Sequence, residues 1–321
     1  MHAGTLCIHD NILTFLLKFP AMLLQQLING LTLGGVYALI ALGYTMVYGI
    51  LELINFAHGE IYMLGAYLGI IFLGLFTVIG LTSVSLPLAL FFTVLLTIVV
   101  CSAYGFAMEK VAYKPLRNAP RLSPLISAIG ISIFLQNYVM LTQGATDQVF
   151  PQRFGDSGLQ FLNVSMTYLQ ALIIIVSGLL MLSLHLFIQK TRMGKAMRAV
   201  AQDKTMAALA GINVNGIISV TFIIGAGLAA MAGIMVASYY GLVNYYIGYI
   251  AGIKAFTAAV LGGIGNIPGA MVGGIILGLV ESAGAAYISS EYKDAYAFII
   301  LIVILLIKPA GILGKNTEEK V

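Results

Sequence analysis

The sequence predicts an all-α, polytopic integral membrane protein, a helical bundle of about eight to nine membrane segments that includes broken or re-entrant helices. Of its 321 residues, 60% are apolar and only 9% are charged, whereas charged residues make up about a quarter of an ordinary soluble domain. Long apolar runs recur along the chain, and about 20 apolar residues are needed to cross the hydrocarbon core of a bilayer as a helix. These runs are continuously apolar rather than alternating, which favours helices over a closed barrel.

The amino-terminal half contains five apolar runs, and the residues before the first of them do not form an unbroken apolar segment. Residues 1–21 are predicted to be an N-terminal extension, because Lys18 and Pro20 interrupt the apolar stretch there. This stretch also lacks the small-residue cleavage site of a signal peptide. The predicted segments of this half are 31–53, 61–79, 86–108, 125–141 and 168–188.

The carboxyl-terminal half adds four segments to the same transmembrane domain, which is placed at residues 22–308. The Gly-rich sequence Gly262–Gly269 breaks one long apolar run into a short helix and a longer one, because glycine and proline interrupt helices. Residues 309–321 are left as a tail. The predicted segments of this half are 216–240, a short helix beginning near 249, 270–287 and 296–307.

Positive charge is concentrated in three clusters, and cytoplasmic loops of membrane proteins are enriched in Lys and Arg. We therefore predict that all three clusters, with the tail, are cytosolic, and that the N terminus and the loop 142–167 lie outside. The number of apolar runs between the clusters agrees with this orientation. The clusters are Lys110, Lys114, Arg117 and Arg121; Lys190, Arg192, Lys195, Arg198 and Lys204; and Lys308, Lys315 and Lys320.

The second cluster lies in residues 189–215, a short basic segment between two long apolar runs. From Gly194 to Ala210 the apolar residues can share one side of a single short helix, and Gly211 supplies a stop. Such a segment is typical of a handle that a cytosolic protein grips. The alternatives are an interfacial helix on anionic lipid and a solvated basic loop that only sets topology. A docking helix is preferred because no energy source is visible elsewhere in the chain.

Two similar breaks interrupt the apolar pattern, Asn55-Phe-Ala-His-Gly59 and Asn266-Ile-Pro-Gly269. They favour either an internal repeat with broken helices near the membrane midplane or two tight turns between helices. The candidate gating or broken-helix residues are Asn55, His58, Gly59, Glu60, Gly262, Gly263, Gly265, Asn266 and Pro268.

Three acids fall within or beside predicted segments, where an ionisable group is a functional candidate. Glu52 and Glu60 flank the first break, where cytosolic water can reach them, and Glu281 is expected to reach the outer interface. Glu60 and His58 either hold the turn together by hydrogen bonds or take part in gating.

Spaced glycine pairs such as Gly30 with Gly34 and Gly274 with Gly278 recur among the 36 glycines. They are interpreted as contacts within one helix bundle, because glycine lets helix backbones approach closely.

Signatures of enzymes are absent from the sequence. It contains no nucleotide-binding loop, no zinc-protease motif and no nucleophile elbow. Cys7 and Cys101 match no metal-ligand spacing. We therefore predict no catalytic activity in this chain, no cofactor, no metal and no nucleic-acid partner.

The chain resembles the permease subunits of bacterial ATP-binding-cassette importers for branched-chain amino acids, in particular the LivH-type member of the permease pair. The likeness covers about residues 25–314. The motifs that carry it are Asn29-Gly-Leu-Thr-Leu-Gly34, Tyr37-Ala-Leu-Ile-Ala-Leu-Gly-Tyr-Thr-Met-Val-Tyr-Gly49, Ile54-Asn-Phe-Ala-His-Gly-Glu60, Ile126-Ser-Ala-Ile-Gly130, Phe134-Leu-Gln-Asn137, Lys254-Ala-Phe-Thr-Ala-Ala-Val-Leu-Gly-Gly-Ile-Gly265 and Pro309-Ala-Gly-Ile-Leu-Gly314.

The resemblance implies a multi-pass subunit of the bacterial cytoplasmic (inner) membrane that passes leucine, isoleucine or valine by alternating access. It also implies a second related permease, two cytosolic ATPase subunits and a periplasmic substrate-binding protein as partners, besides the amino acid and membrane lipid. ATP hydrolysis is then expected on the partners. The coupling residues that the resemblance implies are Gly194, Lys195, Arg198, Ala199, Asp203, Ala207, Ala208 and Gly211.

Two other mechanisms remain as alternatives. An ion-coupled secondary amino-acid transporter also fits broken helices and a repeat, and an intramembrane enzyme or channel is the second. A tyrosine-rich group, Tyr239, Tyr240, Asn244, Tyr245 and Tyr246, is expected near the outer face, either as ordinary interfacial aromatics or as a contact for the binding protein.

Overall fold

The fold is described from a computed structural model that covers residues 3–117, 119–120, 122–151, 158–161 and 164–314; for residues 3–19 it describes the backbone alone. Arg121, Lys315 and Lys320 of the predicted basic clusters lie outside the described residues. The described part forms helices joined by short connections, with a π-helical turn, Glu109–Tyr113, between the fourth and fifth. The helices are α1 (Ala3–Leu51), α2 (His58–Val78), α3 (Leu81–Val84), α4 (Leu86–Met108), α5 (Leu122–Gln143), α6 (Tyr168–Lys190), α7 (Arg192–Gln202), α8 (Lys204–Leu209), α9 (Val214–Tyr240), α10 (Ile247–Gly262), α11 (Ile267–Tyr287) and α12 (Lys293–Ile307).

In the described part of the chain, seven helices are long and apolar enough to cross a membrane. Two shorter helices, α10 and α12, complete the set of apolar segments. The predicted all-α membrane bundle with about eight to nine segments is therefore confirmed. The seven stretches are Pro20–Leu51, His58–Val78, Leu86–Tyr113, Leu122–Gln143, Tyr168–Lys190, Val214–Tyr240 and Ile267–Tyr287.

Helix α1 is longer than the apolar pattern predicts. The pattern starts the first segment at residue 31, but the helix passes through Pro20, and the stretch from Pro20 to Leu51 is apolar enough to cross a membrane. Lys18 and Pro20 therefore do not end the helix. The assignment of residues 1–21 as an extension stays a prediction, since no break in the backbone marks position 21.

Helix α1 lies at the centre of the bundle and packs along α11. No room exists for a side chain at Gly278, because the backbone of Gly34 and the carbonyl oxygen of Gly30 occupy that position. At Gly274 the backbone of Ala38 does the same. The spaced glycine pairs thus serve packing within the chain, as predicted, because backbones in van der Waals contact maximise dispersion between helices in lipid.

Among the described residues, four short strands lie at one end of the bundle, three of them between α5 and α6 and the fourth after α9. Strand β1 (Gln148–Val149) pairs antiparallel with β4 (Leu242–Val243), and β2 (Gly158–Phe161) forms a hairpin with β3 (Val164–Thr167). Gln25 near the start of the membrane stretch of α1 exchanges two hydrogen bonds with the Ser165 backbone, each 3.0 Å. The part of α1 around Gln25, the strands β1 to β3 and the end of α9 therefore share one side of the bundle, opposite α7 and α8.

Candidate functional site

The predicted coupling segment folds as two short helices rather than one. Thr191 begins α7 by accepting a hydrogen bond from the Gly194 amide (3.0 Å). Asp203 ends α7 and begins α8, because its Oδ1 accepts from the amides of Thr205 (2.7 Å) and Met206 (2.9 Å). The expectation of a single helix from Gly194 to Ala210 is therefore wrong. An Asp side chain at a helix start satisfies amides that have no partner within the helix, and here that preference breaks the apolar pattern in two.

Gly211 ends the segment as predicted. Its φ of +82° lies in the left-handed region, which glycine adopts without steric cost. The Ile212 amide then donates to the Ala207 carbonyl (3.0 Å), so one of the last carbonyls of α8 has a partner.

One face of α7 is fixed to the end of α6. Gly194, Met197 and Val200 are buried and recur every three residues, the spacing of a single helix face. A side chain at Gly194 would collide with the Ile188 carbonyl, and the Arg198 guanidinium donates to that same oxygen. Displacing α7 therefore displaces the end of a membrane helix.

The other face of the segment is open. Met206 is 64% exposed and Leu209 is 78% exposed, although both are apolar. Of the predicted coupling residues, Gly194 and Ala207 are buried and Ala199 is half-buried. The exposed ones are Lys195, Arg198, Asp203, Ala208 and Gly211. The segment thus has a buried anchoring face and an exposed face that is apolar with basic residues at its edge.

The anchored face of α7 adjoins both predicted breaks. A small cavity of about 90 Å³ lies between Met197 and Arg198 of α7, Gly49 and Ile50 at the end of α1, and Gly265 before α11. At Gly49 an added Cβ would be 3.7 Å from the Cα of Gly265. The coupling segment and the ends of two membrane helices therefore meet in one region.

The second break is closed by the segment after α12. The amides of Ile312 and Leu313 donate to the carbonyls of Leu261 (2.8 Å) and Gly262 (3.0 Å). The Asn266 side chain donates to the Leu313 carbonyl (2.6 Å) and caps α11 through its Oδ1 and the Gly269 amide (3.2 Å). The last carbonyls of α10, which lack partners inside that helix, are satisfied in this way.

The other residues predicted for this break line the turn itself. Gly262 and Gly263 are buried, whereas Gly265 and Pro268 are exposed. Gly263 and Gly265 have φ of +105° and +87°, so the turn uses conformations that glycine adopts readily.

The first break lies deeper than a surface turn. Helix α1 ends at Leu51, but the His58 ring at the start of α2 packs against Gly43 and lies edge-on to Tyr44, with ring centroids 5.0 Å apart. The seven residue steps from Tyr44 to Leu51 rise about 10 Å in a helix. Helix α2 therefore begins about 10 Å deeper in the bundle than the point at which α1 ends.

Glu60 in the first turn of α2 is fully buried and is held by α5. Its Oε1 accepts hydrogen bonds from the Ser132 hydroxyl (2.9 Å) and from the Gln136 amide (2.8 Å), while its Oε2 has no hydrogen-bond partner among the described residues. The expectation that cytosolic water reaches Glu60 is therefore wrong, because α2 starts inside the bundle. A carboxylate is favoured electrostatically at a helix N-terminus.

Beside Glu60 is a chamber of about 430 Å³ between α1, α5 and α10. Ser132 and Gln136, the two residues that hold Glu60, also line it, together with Tyr44 and Gly252. Gly59 lets α2 approach α10 closely, because the Gly248 carbonyl occupies the place of a side chain at position 59. The predicted break thus places a carboxyl group and two of its donors next to an internal space.

The turn of the first break is tied to the end of α4. The Tyr113 hydroxyl donates to Asn55 Oδ1 (2.8 Å), and both residues are buried. A few residues earlier, buried Glu109 forms an ion pair with Arg117 and accepts from the Ser219 hydroxyl (2.8 Å) at the start of α9. Glu109 and Tyr113 were not predicted as site residues, since a Glu beside Lys110 in a basic loop reads as a solvated charge.

The expectation that Glu281 reaches the outer interface is wrong, because its side chain is buried in the bundle. It is only 3% exposed, and its Oε1 lies 2.7 Å from Lys254 Nζ in the middle of α10. The Tyr37 hydroxyl donates to its Oε2 (2.9 Å), and Asp294 Oδ1 lies 2.6 Å from Lys254 Nζ. The presence of Lys254 in a short apolar run was the signal in the sequence for a charged partner within the membrane.

The comparisons with known proteins agree with this architecture. Residues 26–305 match the family described as "Branched-chain amino acid transport system / permease component". The chain is 53% identical to the high-affinity branched-chain amino acid transport system permease protein LivH of Escherichia coli (strain K12), over 93% of this chain and 97% of that protein.

Two further relatives extend the comparison. The chain is 53% identical to the high-affinity branched-chain amino acid transport system permease protein BraD of Pseudomonas aeruginosa, over 93% of this chain and 98% of that protein. It is 29% identical to a probable branched-chain amino acid transport permease protein LivH of Methanocaldococcus jannaschii, over 88% and 89% of the two chains. No solved structure matches the chain.

The matches to LivH and BraD each cover 93% of this chain. The resemblance to LivH-type permeases is thereby confirmed. This chain belongs to the family of permease components of branched-chain amino acid transport systems.

Proposed function

We propose that this chain is the membrane-spanning permease subunit of an ATP-driven importer of branched-chain amino acids. With a second, related permease it forms a pathway for leucine, isoleucine and valine across the bacterial inner membrane. Two cytosolic ATPase subunits supply the energy and a periplasmic binding protein delivers the amino acid. Family membership and the printed functions of LivH and BraD support this assignment.

The observation that carries the mechanism is the two-faced coupling segment. Its exposed face, with Met206 and Leu209, offers apolar surface on the helix that begins with exposed Lys204, and an aliphatic anchor that fills a pocket on the partner is a common centre of a protein interface. Its buried face is attached to the ends of α6 and α1 and adjoins Gly265. Movement of an ATPase subunit against the exposed face is thus transmitted to the breaks, which opens the pathway alternately to either side.

The test is a change on the exposed face that leaves the buried face intact. Leu209→Asp places a charge on the docking surface, and Leu209→Met is the matched control that stays apolar. Loss of one interface hot spot costs about 2 kcal/mol or more, so we expect ATP-driven leucine uptake and copurification of the ATPase subunits to fall at least about tenfold with Asp. With Met both are retained.

Two outcomes would contradict the proposal. Wild-type uptake and ATPase copurification with Leu209→Asp would mean that this face rests on lipid or is merely solvated. Leucine uptake that survives ATP depletion but stops when the ion gradient is dissipated would instead favour the ion-coupled secondary transporter.

A further inference from the structure

A second internal space lies on the side of the bundle opposite the coupling segment. It is a cavity of about 200 Å³ that reaches from Tyr37 of α1 to Asn244 after β4 and Asp294 at the start of α12. It is separate from the chamber beside Glu60, because α10 forms the wall between them. Gly252 and Ile253 of α10 face the chamber, whereas Ala251 and Lys254 face this cavity.

The wall of the cavity carries an ammonium group between two carboxylates. Lys254 Nζ lies 2.7 Å from Glu281 Oε1 and 2.6 Å from Asp294 Oδ1. A charge within a membrane helix is costly and is typically paired when it is present. Lys293 lines the same cavity, so two ammonium groups and two carboxylates balance there, and a ligand without net charge leaves that balance unchanged.

The two carboxylates differ in how firmly they are held. Glu281 is 3% exposed and both of its oxygens are engaged, one by Lys254 and the other by the Tyr37 hydroxyl at 2.9 Å. Asp294 is 45% exposed and lies in the first turn of α12. Glu281 is therefore a fixed counter-ion, whereas Asp294 can exchange its place on the ammonium for another anion.

The remaining lining is suited to an aliphatic group. Leu33, Val236, Ile247 and Ile250 contribute apolar side chains to the same cavity. Small-molecule sites are typically lined by apolar residues with a few convergent polar groups that fix orientation. An apolar wall next to a cation and an exchangeable anion matches a ligand with both charges on one carbon and a hydrocarbon side chain.

We propose that this cavity binds an apolar amino acid as its zwitterion. The α-carboxylate of the ligand takes the place of Asp294 on Lys254 Nζ, and its α-ammonium pairs with the released Asp294. The aliphatic side chain lies against Val236 and Ile247. The choice of leucine as the ligand rests on the transport function proposed above, whereas the site itself rests on the cavity and its four charged groups, Lys254, Glu281, Lys293 and Asp294.

The test measures how leucine protects a cysteine on the rim of the cavity from alkylation. Asn244 lines the cavity and is exposed, so Asn244→Cys is introduced into the full-length chain with Cys7→Ser. Cys101 is retained because it is fully buried. Alkylation by a small maleimide is timed without ATP, in membranes that contain the assembled transporter without its binding protein.

We expect leucine to slow alkylation of Asn244→Cys, and leucinamide and 4-methylpentanoate, which lack one charge each, to fail at the same concentration. Asp294→Asn should raise the half-protective leucine concentration at least about tenfold, the effect of losing a hydrogen bond to a charged group. Asp294→Glu should recover part of the protection. Leu159→Cys on the distant hairpin is the control and should react at a rate that leucine does not change.

Three results would overturn the site. The first is that leucine leaves the alkylation rate of Asn244→Cys unchanged. The second is that either single-charge analogue protects as well as leucine. The third is that leucine protects the Asp294→Asn variant at the same concentration as it protects the protein with Asp294. A purely structural ion cluster gives the first or the third of these.

ATP-driven uptake, measured in the same membranes after the binding protein is added back, separates this proposal from the transport function. Uptake that requires ATP without any protection rejects the cavity alone. Protection without ATP-dependent uptake rejects the importer and keeps the site.

Discussion

At the scale of single residues, glycine decides how closely the central helices approach. Gly34 of α1 and Gly278 of α11 face each other so closely that backbone atoms fill the place of each missing side chain. Gly178 in α6 has open space at the same position. Identical residues therefore have different roles according to what packs against them, and this difference can be measured.

We expect Gly278→Ala to destabilise the protein by about 1–3 kcal/mol, the usual cost of overpacking a filled site. The atoms that a methyl group would meet belong to the backbone of α1, so no rotamer change relieves the clash. Thermal unfolding in detergent measures the effect.

Gly178→Ala is the matched control for this substitution. It adds the same methyl group in a helix without contact, and Ala is preferred over Gly in helices by about 1 kcal/mol. The midpoint temperature of thermal unfolding of Gly178→Ala should be equal to or above that of the wild type. A midpoint for Gly278→Ala no lower than that of Gly178→Ala would contradict the packing described for α1 and α11.

At the scale of the elements, the coupling segment depends on a local cap. Asp203 lies between α7 and α8 and is the only residue whose side chain holds the first amides of α8 in the described contacts. The cap sets where α8 begins, and hence the direction in which Met206 and Leu209 point away from the bundle. A local hydrogen bond thus determines the shape of the proposed docking surface.

Asp203→Ala should loosen α8 while leaving α7 intact. Loss of an N-cap costs about 0.5–2 kcal/mol, so amide exchange at Thr205 and Met206 should accelerate by a factor of about 2 to 30. Hydrogen exchange resolved by residue or peptide measures the rate. ATP-driven uptake should fall in parallel, because the docking surface loses its fixed form.

Asp203→Asn retains the acceptor oxygen and should exchange at nearly the wild-type rate. Exchange that is equally fast in the Ala and Asn variants would show that the charge, and not the cap, is what matters at this position.

At the scale of the whole molecule, the segments predicted to be cytosolic lie together at one end of the bundle. The coupling segment, both breaks and the turn before Gly314 lie together at one end of the bundle. The strands, Gln25 and the start of α12 lie at the other. Membrane embedding by multiple helices follows from the spans, and which end faces the cytosol remains a prediction from the basic clusters.

Cysteine labelling decides the orientation. In the Cys7→Ser background, we expect a membrane-impermeant maleimide to label Leu159→Cys in intact cells and Ala210→Cys only after permeabilisation. Both positions are exposed on the described surface, so a difference reports sidedness rather than burial. Labelling of Ala210→Cys in intact cells would place the coupling segment outside and contradict the proposed ATPase contact.

The elements were largely predictable, and the exceptions have physical causes. Apart from α1, the membrane helices match the predicted runs to within a few residues, since apolar length is what lipid requires. The start of α1 was missed because a proline can lie inside a membrane helix. The division of the coupling segment was missed because the apolar pattern continues past position 203 and does not show the hydrogen bonds by which Asp203 caps α8.

The sequence by itself determined the environment and the helical class of this protein, the positions of its segments and its two breaks, and the resemblance that identified its family. Those properties depend on composition and on neighbours along the chain. Only the tertiary structure decided which polar groups meet: Tyr37 with Glu281, 244 residues apart, and Glu60 with Gln136, 76 apart. Such pairs depend on how each helix is rotated and how deep it lies, which close glycine packing sets and apolar periodicity does not encode.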